Sequence, residues 1–174
     1  MSLLSQSRSD TTPRLRLCFV CLGNICRSPT AEAVMRSLLQ REGLHETIEV
    51  DSAGTSGWHV GDPPDVRAAA EARRRGVVMD GCARRFEPRD FDVFDLILAM
   101  DRDNVDALNK LTRKPELRAK VRLLREFDPD RPPHEDADVP DPYYCGDDGF
   151  AYVFDLIDAA CKGLLEHLVR TYEL

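Results

Sequence analysis

The run CLGNICRSP at residues 21–29 constrains the chain more than any other segment. It follows a short apolar run, Leu15 to Val20, which reads as a buried strand. After it comes TAEAVMRSLLQREG, with Ala33, Val34, Leu38 and Leu39 at helical spacing and Gly43 as the stop. Pro29 suits the first helical position, where no amide donor is needed. A strand, a tight loop and a helix therefore occur in that order.

The pattern continues along the chain. Ile48 to Ala53 predicts a second strand ended by Gly54, and residues 55–64 a loop holding Gly57, Trp58, Gly61 and two prolines. Asp65 to Arg75 predicts a helix closed by Gly76. Phe94 to Met100 is the strongest strand signal, followed by a helix from Asp101 to Lys110. Val121 to Leu124 makes a short fourth strand. Residues 128–149 carry five prolines and many aspartates, so they form a long loop, a kind often functional in compact domains. Phe150 to Tyr172 closes the chain as a long helix. Alternating strands and helices imply an α/β domain with a parallel sheet and helices on both faces. Ligands of such sheets bind beyond the carboxyl ends of the strands, where residues 21–28 fall.

Cys21 and Arg27 have five residues between them, a weak signal by spacing alone. Their setting strengthens it. Gly23 takes positive φ freely, and Asn24 tolerates it better than most residues. A loop so curled turns its amide hydrogens inward as an anion nest, and the helix start adds its positive end. The guanidinium of Arg27 can hold two phosphate oxygens at once. A cysteine at the bottom of that nest suits a thiolate nucleophile, with the Ser28 hydroxyl as a neighbouring donor. The alternative for Cys21 is a buried thiol at a strand end.

The formal net charge of −7 argues against general nucleic-acid binding. Asp136, Asp138, Asp141, Asp147 and Asp148 crowd one segment; Arg73, Arg74, Arg75, Arg84 and Arg85 are the basic counterpart. These are either solvated faces or, for the acids, a surface near a site that attracts basic substrate flanks. No apolar run reaches the roughly 20 residues of a membrane helix, so no membrane partner is expected. Met1 to Pro13 is polar and aperiodic; it reads as a disordered tail before a domain at 14–174, with no secretory signal. Six cysteines in such a chain point to cytoplasmic free thiols rather than a disulfide framework. The four histidines show no metal-ligand spacing, and no metal is expected.

CLGNICRSPTAEAVMR resembles the phosphate-binding loop and first helix of the low-molecular-weight protein tyrosine phosphatases. DSAGTSGWHVGDPPDVRA is similar to that family's second strand and following aromatic loop, FDLILAMDRDN to its third strand and turn, and VPDPYY to its general-acid loop. The resemblance runs from about Leu15 to the last helix. It implies a four-stranded parallel sheet and a two-step hydrolysis of phosphotyrosine in proteins or peptides, without a cofactor. Cys21 would be the nucleophile, Arg27 the phosphate clamp and Asp141 the general acid. Leu22, Gly23, Asn24, Ile25, Cys26 and Ser28 would form the phosphate loop, and Trp58, Tyr143 and Tyr144 the pocket walls. Taken without the resemblance, Asp141 is a loop aspartate and the three aromatics are ordinary half-buried residues.

Asp141 lies between Pro140 and Pro142, which stiffen the loop that presents it. Cys26 shares the curled loop with Cys21 and is either a resolving thiol for an oxidised Cys21 or a small packed residue. Two departures stand out. Gly81 occupies the place of a histidine that braces the loop asparagine in many members, which leaves open what holds Asn24, and Arg85 stands where glutamine is common. Thiol-linked arsenate reduction on the same fold needs two further closely spaced cysteines; Cys82 has none nearby until Cys145. Phosphoarginine phosphatases of this fold resemble the loop with threonine at the place of Ile25. A phosphate-binding module without catalysis would lack Cys21 or Asp141.

Overall fold

The strand Leu15–Cys21 (β1) is buried along nearly its whole length because it has a strand on each side and a packed core on each face. In the computed structural model, which describes residues 14–143 and 145–174, four strands form one sheet in the order β2-β1-β3-β4. The tail expected over residues 1–13, and Tyr144, lie outside the described residues. All three strand pairs are parallel, joining β1 to β2 (Ile48–Gly54) and to β3 (Leu96–Ala99), and β3 to β4 (Val121–Leu123). Cys21 lies opposite Gly54, and Val20 lies opposite both Ala53 and Ala99. The carboxyl ends of the three strands are thus level, and the loops that leave them converge.

Successive residues of β1 serve opposite faces, as the period of a strand requires. Leu17, Phe19 and Cys21 join a core with Val34, Leu38, Ile157 and Leu164, from helices α1 (Arg27–Arg41) and α6 (Asp147–Tyr172). Cys18 and Val20 join the other core with Phe86, Phe91, Ile97 and Leu108. Full burial of a side chain such as Phe19 contributes about 1.5–3 kcal/mol. Helix α2 (Val66–Arg74) is capped by Asp65, whose carboxylate accepts the amides of Arg67 and Ala68.

Several boundaries differ from the sequence reading. Helix α1 begins at Arg27, so Pro29 is third in the first turn; its missing amide still costs nothing, because the first four amides have no partner within a helix. Strand β2 includes Gly54. Strand β3 is shorter at both ends than Phe94 to Met100, because Phe94 closes the short helix α3 (Asp90–Val93). Helix α4 (Arg102–Asn109) starts after its Asp101 cap, and a further four-residue helix, α5 (Pro115–Arg118), precedes β4. A 3-10 turn at Leu124–Phe127 takes Leu124 out of the last strand, and α6 starts at Asp147 rather than Phe150. No described helix is long and apolar enough to cross a membrane.

Candidate active site

Residues 21–27 leave β1 and curl back before entering α1. The curl lies directly on the end of β2: a Cβ added at Gly54 would stand 2.8 Å from the Leu22 carbonyl oxygen. The amides of Thr55, Ser56 and Asp65 donate to the carbonyls of Cys21, Leu22 and Ile25 at 2.9, 3.0 and 2.8 Å, which fastens the outer side of the loop. Asn24 has φ 56°, the left-handed turn that its residue type accommodates.

That turn aims the Asn24 amide at Cys21 Sγ, 3.3 Å away. Ser28 Oγ lies 3.0 Å from the same sulfur. The Asn24 side-chain amide donates to Ser28 Oγ and to Ser52 Oγ, each at 2.9 Å, which leaves the Ser28 hydroxyl hydrogen to Sγ at 3.0 Å or to the Ala53 carbonyl at 3.4 Å. Asn24 Oδ1 accepts the backbone amide of Arg84 at 2.9 Å, and Ser52 donates to Glu32 Oε2 at 2.5 Å. These contacts brace Asn24 where Gly81 leaves no histidine. Gly81 itself has φ 85°, a conformation that a histidine rarely adopts. Burial pushes the Glu32 carboxyl above its usual range, against the lowering effects of Ser52 and Arg36.

Arg27 is only 3% exposed, yet its guanidinium is well supplied with acceptors. Nη1 donates to Asp101 Oδ2 at 2.5 Å and to the Val139 carbonyl at 3.0 Å, and Nη2 reaches Asp141 Oδ2 at 3.4 Å. Burial opposes its charge, but Cys21, Asp101 and Asp141 together hold its pKa above the ordinary arginine value. Asp101 was not singled out from sequence. It caps α4 in a reciprocal capping box with Asn104, which fixes one oxygen and turns the other to Arg27.

Asp141 reaches the site from the long loop. The Val139 amide donates to the Met100 carbonyl at 2.7 Å, beyond the end of β3, and the Tyr143 amide donates to Asp141 Oδ1 at 3.0 Å. A cavity of about 170 Å³ then opens above Cys21, lined by Leu22, Gly23, Ile25, Cys26, Arg27, Trp58, His59, Asp141 and Tyr143. Of the expected loop and wall residues, Leu22, Gly23, Ile25, Cys26, Trp58 and Tyr143 line it, Asn24 and Ser28 meet Cys21 Sγ without lining it, and Tyr144 lies outside the described residues. Trp58 is 80% exposed and forms the lip of the cavity rather than a buried wall. His59 escaped the sequence reading, although its place beside Trp58 was the available signal. Its ring lies against Gly23, where an added Cβ would be 3.1 Å from Cδ2, and its Nδ1 is 3.0 Å from Asp62 Oδ2.

Cys26 is buried at the edge of the same cavity. Burial, with Asp65 adding to it, pushes its thiol up to about 12, so it stays protonated beside Cys21. All six cysteines are free. Of the acidic segment, Asp136 and Asp138 pair with Arg102, and Arg84 of the basic group pairs with Asp51 and Asp90. Among the described residues no three His, Cys, Asp or Glu side chains are grouped to hold a metal ion.

Residues 16–173 match the family model described as low molecular weight phosphotyrosine protein phosphatase. The chain is 47% identical to a low molecular weight protein-tyrosine-phosphatase of Streptomyces coelicolor, covering 86% of this chain and 91% of the relative. It is 42% identical to the human low molecular weight phosphotyrosine protein phosphatase, covering 85% of this chain and 92% of that one. Among solved structures, YfkJ from Bacillus subtilis superposes with a TM-score of 0.85 at 40% identity, over 92% of this chain and 98% of its own. A protein tyrosine phosphatase from Entamoeba histolytica does so with a TM-score of 0.85 at 38% identity, over 92% and 99%.

Proposed function

The chain belongs to the low molecular weight phosphotyrosine protein phosphatase family and is a protein-tyrosine phosphatase, and we propose that its residues divide the reaction as follows. Cys21 Sγ attacks phosphorus while the bond to the phenolic oxygen breaks. Asp141 gives its proton to that oxygen, so the leaving group departs as a neutral phenol. The product on the enzyme is a phosphate ester of Cys21. Water then attacks the phosphorus, Asp141 takes the water proton, and the sulfur leaves as thiolate. Arg27 and the loop amides hold the equatorial oxygens throughout, since positioning and charge stabilisation supply most of the catalysis of phosphoryl transfer.

The observation that carries this reading is the convergence on one sulfur. The Asn24 amide and the Ser28 hydroxyl both reach Cys21 Sγ, and either donor stabilises negative charge there in the free enzyme and again when the sulfur departs. The two carboxylates on Arg27, Asp101 and Asp141, keep its fork oriented until phosphate competes for it.

The cavity favours a flat ring on the phosphate. Ile25 offers only apolar contact, while Trp58, Tyr143 and the His59 ring supply faces on which a phenyl ring can stack. Burying that ring contributes roughly a few kcal/mol, enough for more than a tenfold preference. Phosphotyrosine is therefore the substrate class, ahead of phosphoserine and phosphoarginine. Free thiols suit a reducing compartment, which favours the cytoplasm. The test is competition among three phosphopeptides that differ only at the modified residue, with Cys21→Ser as the blank. Phosphotyrosine should be cleaved fastest; equal or faster cleavage of phosphoarginine would overturn the substrate assignment.

A further inference from the structure

Between the 3-10 turn and α6 the described residues form no helix or strand, yet Asp141 must arrive at one place beside Arg27. One buried side chain gathers residues 135–138 before it. Arg125, in that 3-10 turn, is 3% exposed. Its Nη1 donates to the carbonyls of Asp138 at 3.0 Å and Asp136 at 3.4 Å, and its Nη2 donates to Glu135 Oε1 at 3.0 Å. Its Nε lies 3.9 Å from Asp128 Oδ2, a buried carboxylate at the loop's beginning. The carbonyl of Arg125 also accepts the Asp128 amide and Arg131 Nε, each at 3.2 Å.

From this arrangement we infer that Arg125 is a positioning residue for the general-acid loop. The inference rests on the reading of Asp141 as the acid. Arg125 does not line the cavity above Cys21. It acts through the backbone: it fixes the carbonyls of residues 136 and 138, Met100 and Arg27 fix Val139, and only Pro140 then separates these anchors from Asp141. The planar fork is what the role needs, because it serves two backbone carbonyls and a carboxylate at once in fixed directions. Without it the loop keeps its exposed pairs with Arg102 and the two backbone contacts of Val139, but the carbonyls of residues 136 and 138 lose their buried donor.

The consequence is a selective defect. A misplacement of about 1 Å can cost up to about 10²-fold in rate, here in proton donation alone. A good leaving group needs little donation and a poor one needs it most. Wild type, Arg125→Met, Arg125→Lys and Asp141→Asn are therefore compared by kcat/KM on p-nitrophenyl phosphate and on phenyl phosphate, with the affinity for inorganic phosphate measured alongside. Asp141→Asn and Arg125→Met should each widen the ratio between the two substrates about tenfold or more, with phosphate affinity kept within about twofold. Arg125→Lys, which keeps the charge but loses the fork, should fall between and is the variant read if Arg125→Met does not fold. An Arg125 variant with the wild-type ratio, beside an Asp141→Asn that widens it, overturns the inference alone. So does an Arg125 variant that loses phosphate affinity and both activities equally, because its role would then be general support. An unchanged ratio in Asp141→Asn overturns the acid assignment, and the inference with it.

Discussion

Replacing Gly54 by alanine should damage the phosphate loop from beneath. The added Cβ would stand 2.8 Å from the Leu22 oxygen and 3.2 Å from both Asn24 N and Gly23 C. All three atoms are backbone, so no side-chain rotation can relieve the contact. The loop must lift by about half an ångström to restore ordinary separation. Overpacking of this kind costs about 1–3 kcal/mol, which in a chain of this size lowers Tm by roughly 2–12 °C. The lift also lengthens the contact of the Asn24 amide with Cys21 Sγ, now 3.3 Å, by about the same half ångström and so weakens it. Phosphate affinity and kcat/KM should each fall about tenfold or more. Calorimetric phosphate titration, thermal melting and steady-state kinetics read the three effects. Gly57→Ala is the control in the neighbouring loop, since its Cβ would meet nothing closer than Arg85 Cδ at 3.6 Å. A Gly54→Ala enzyme with wild-type phosphate affinity and kcat/KM would refute the claim that the loop's height on β2 sets its function.

Arg27→Lys should retain less than about a tenth of kcat/KM, because an ammonium cannot grip two phosphate oxygens as the fork does; steady-state kinetics decides. Peroxide should inactivate the enzyme and a dithiol should restore it, with Cys26, once it gives up its strongly held proton, trapping the oxidised Cys21 as a disulfide; if Cys26→Ser recovers equally well, Cys26 is not the resolving thiol. Glu32 supplies a pH signature: burial raises its folded-state pKa, so its contribution to stability is full below the unfolded value and is lost as pH rises through the raised one. Glu32→Gln should therefore gain stability relative to wild type across that rise, as read by denaturant melts at a series of pH values; a constant difference would show that Glu32 does not titrate there.

The strand, curled loop and helix from Leu15 to Gly43 were legible because local chemistry and periodicity agree in them. Asp65 was legible as the start of α2 because the cap is a local contact. The short helices α3 and α5 were not, since four residues carry no period. Asp141 could be singled out only by resemblance, because an aspartate in a proline-rich loop carries no signal of its own. Two of the partners of Asn24 lie 28 and 60 positions away, and only folding brings Ser52 and the Arg84 amide to it. Asp101 and Arg125 were hidden for a related reason: each works through contacts across the sheet's end, with Arg27 and with the loop carbonyls, that no spacing encodes.

The central claim is that the phosphoryl group passes through Cys21. Rapid acid quench of the enzyme turning over a phosphotyrosine peptide, followed by peptide mass spectrometry, locates the trapped phosphorus directly. Asp141→Asn should increase the trapped fraction, because the same carboxylate activates the water that clears it. The account predicts phosphate on Cys21 of the peptide that contains the loop, and none in Cys21→Ser. Phosphate on Cys26 or on any other residue, or turnover by Cys21→Ser at the wild-type rate, would contradict it.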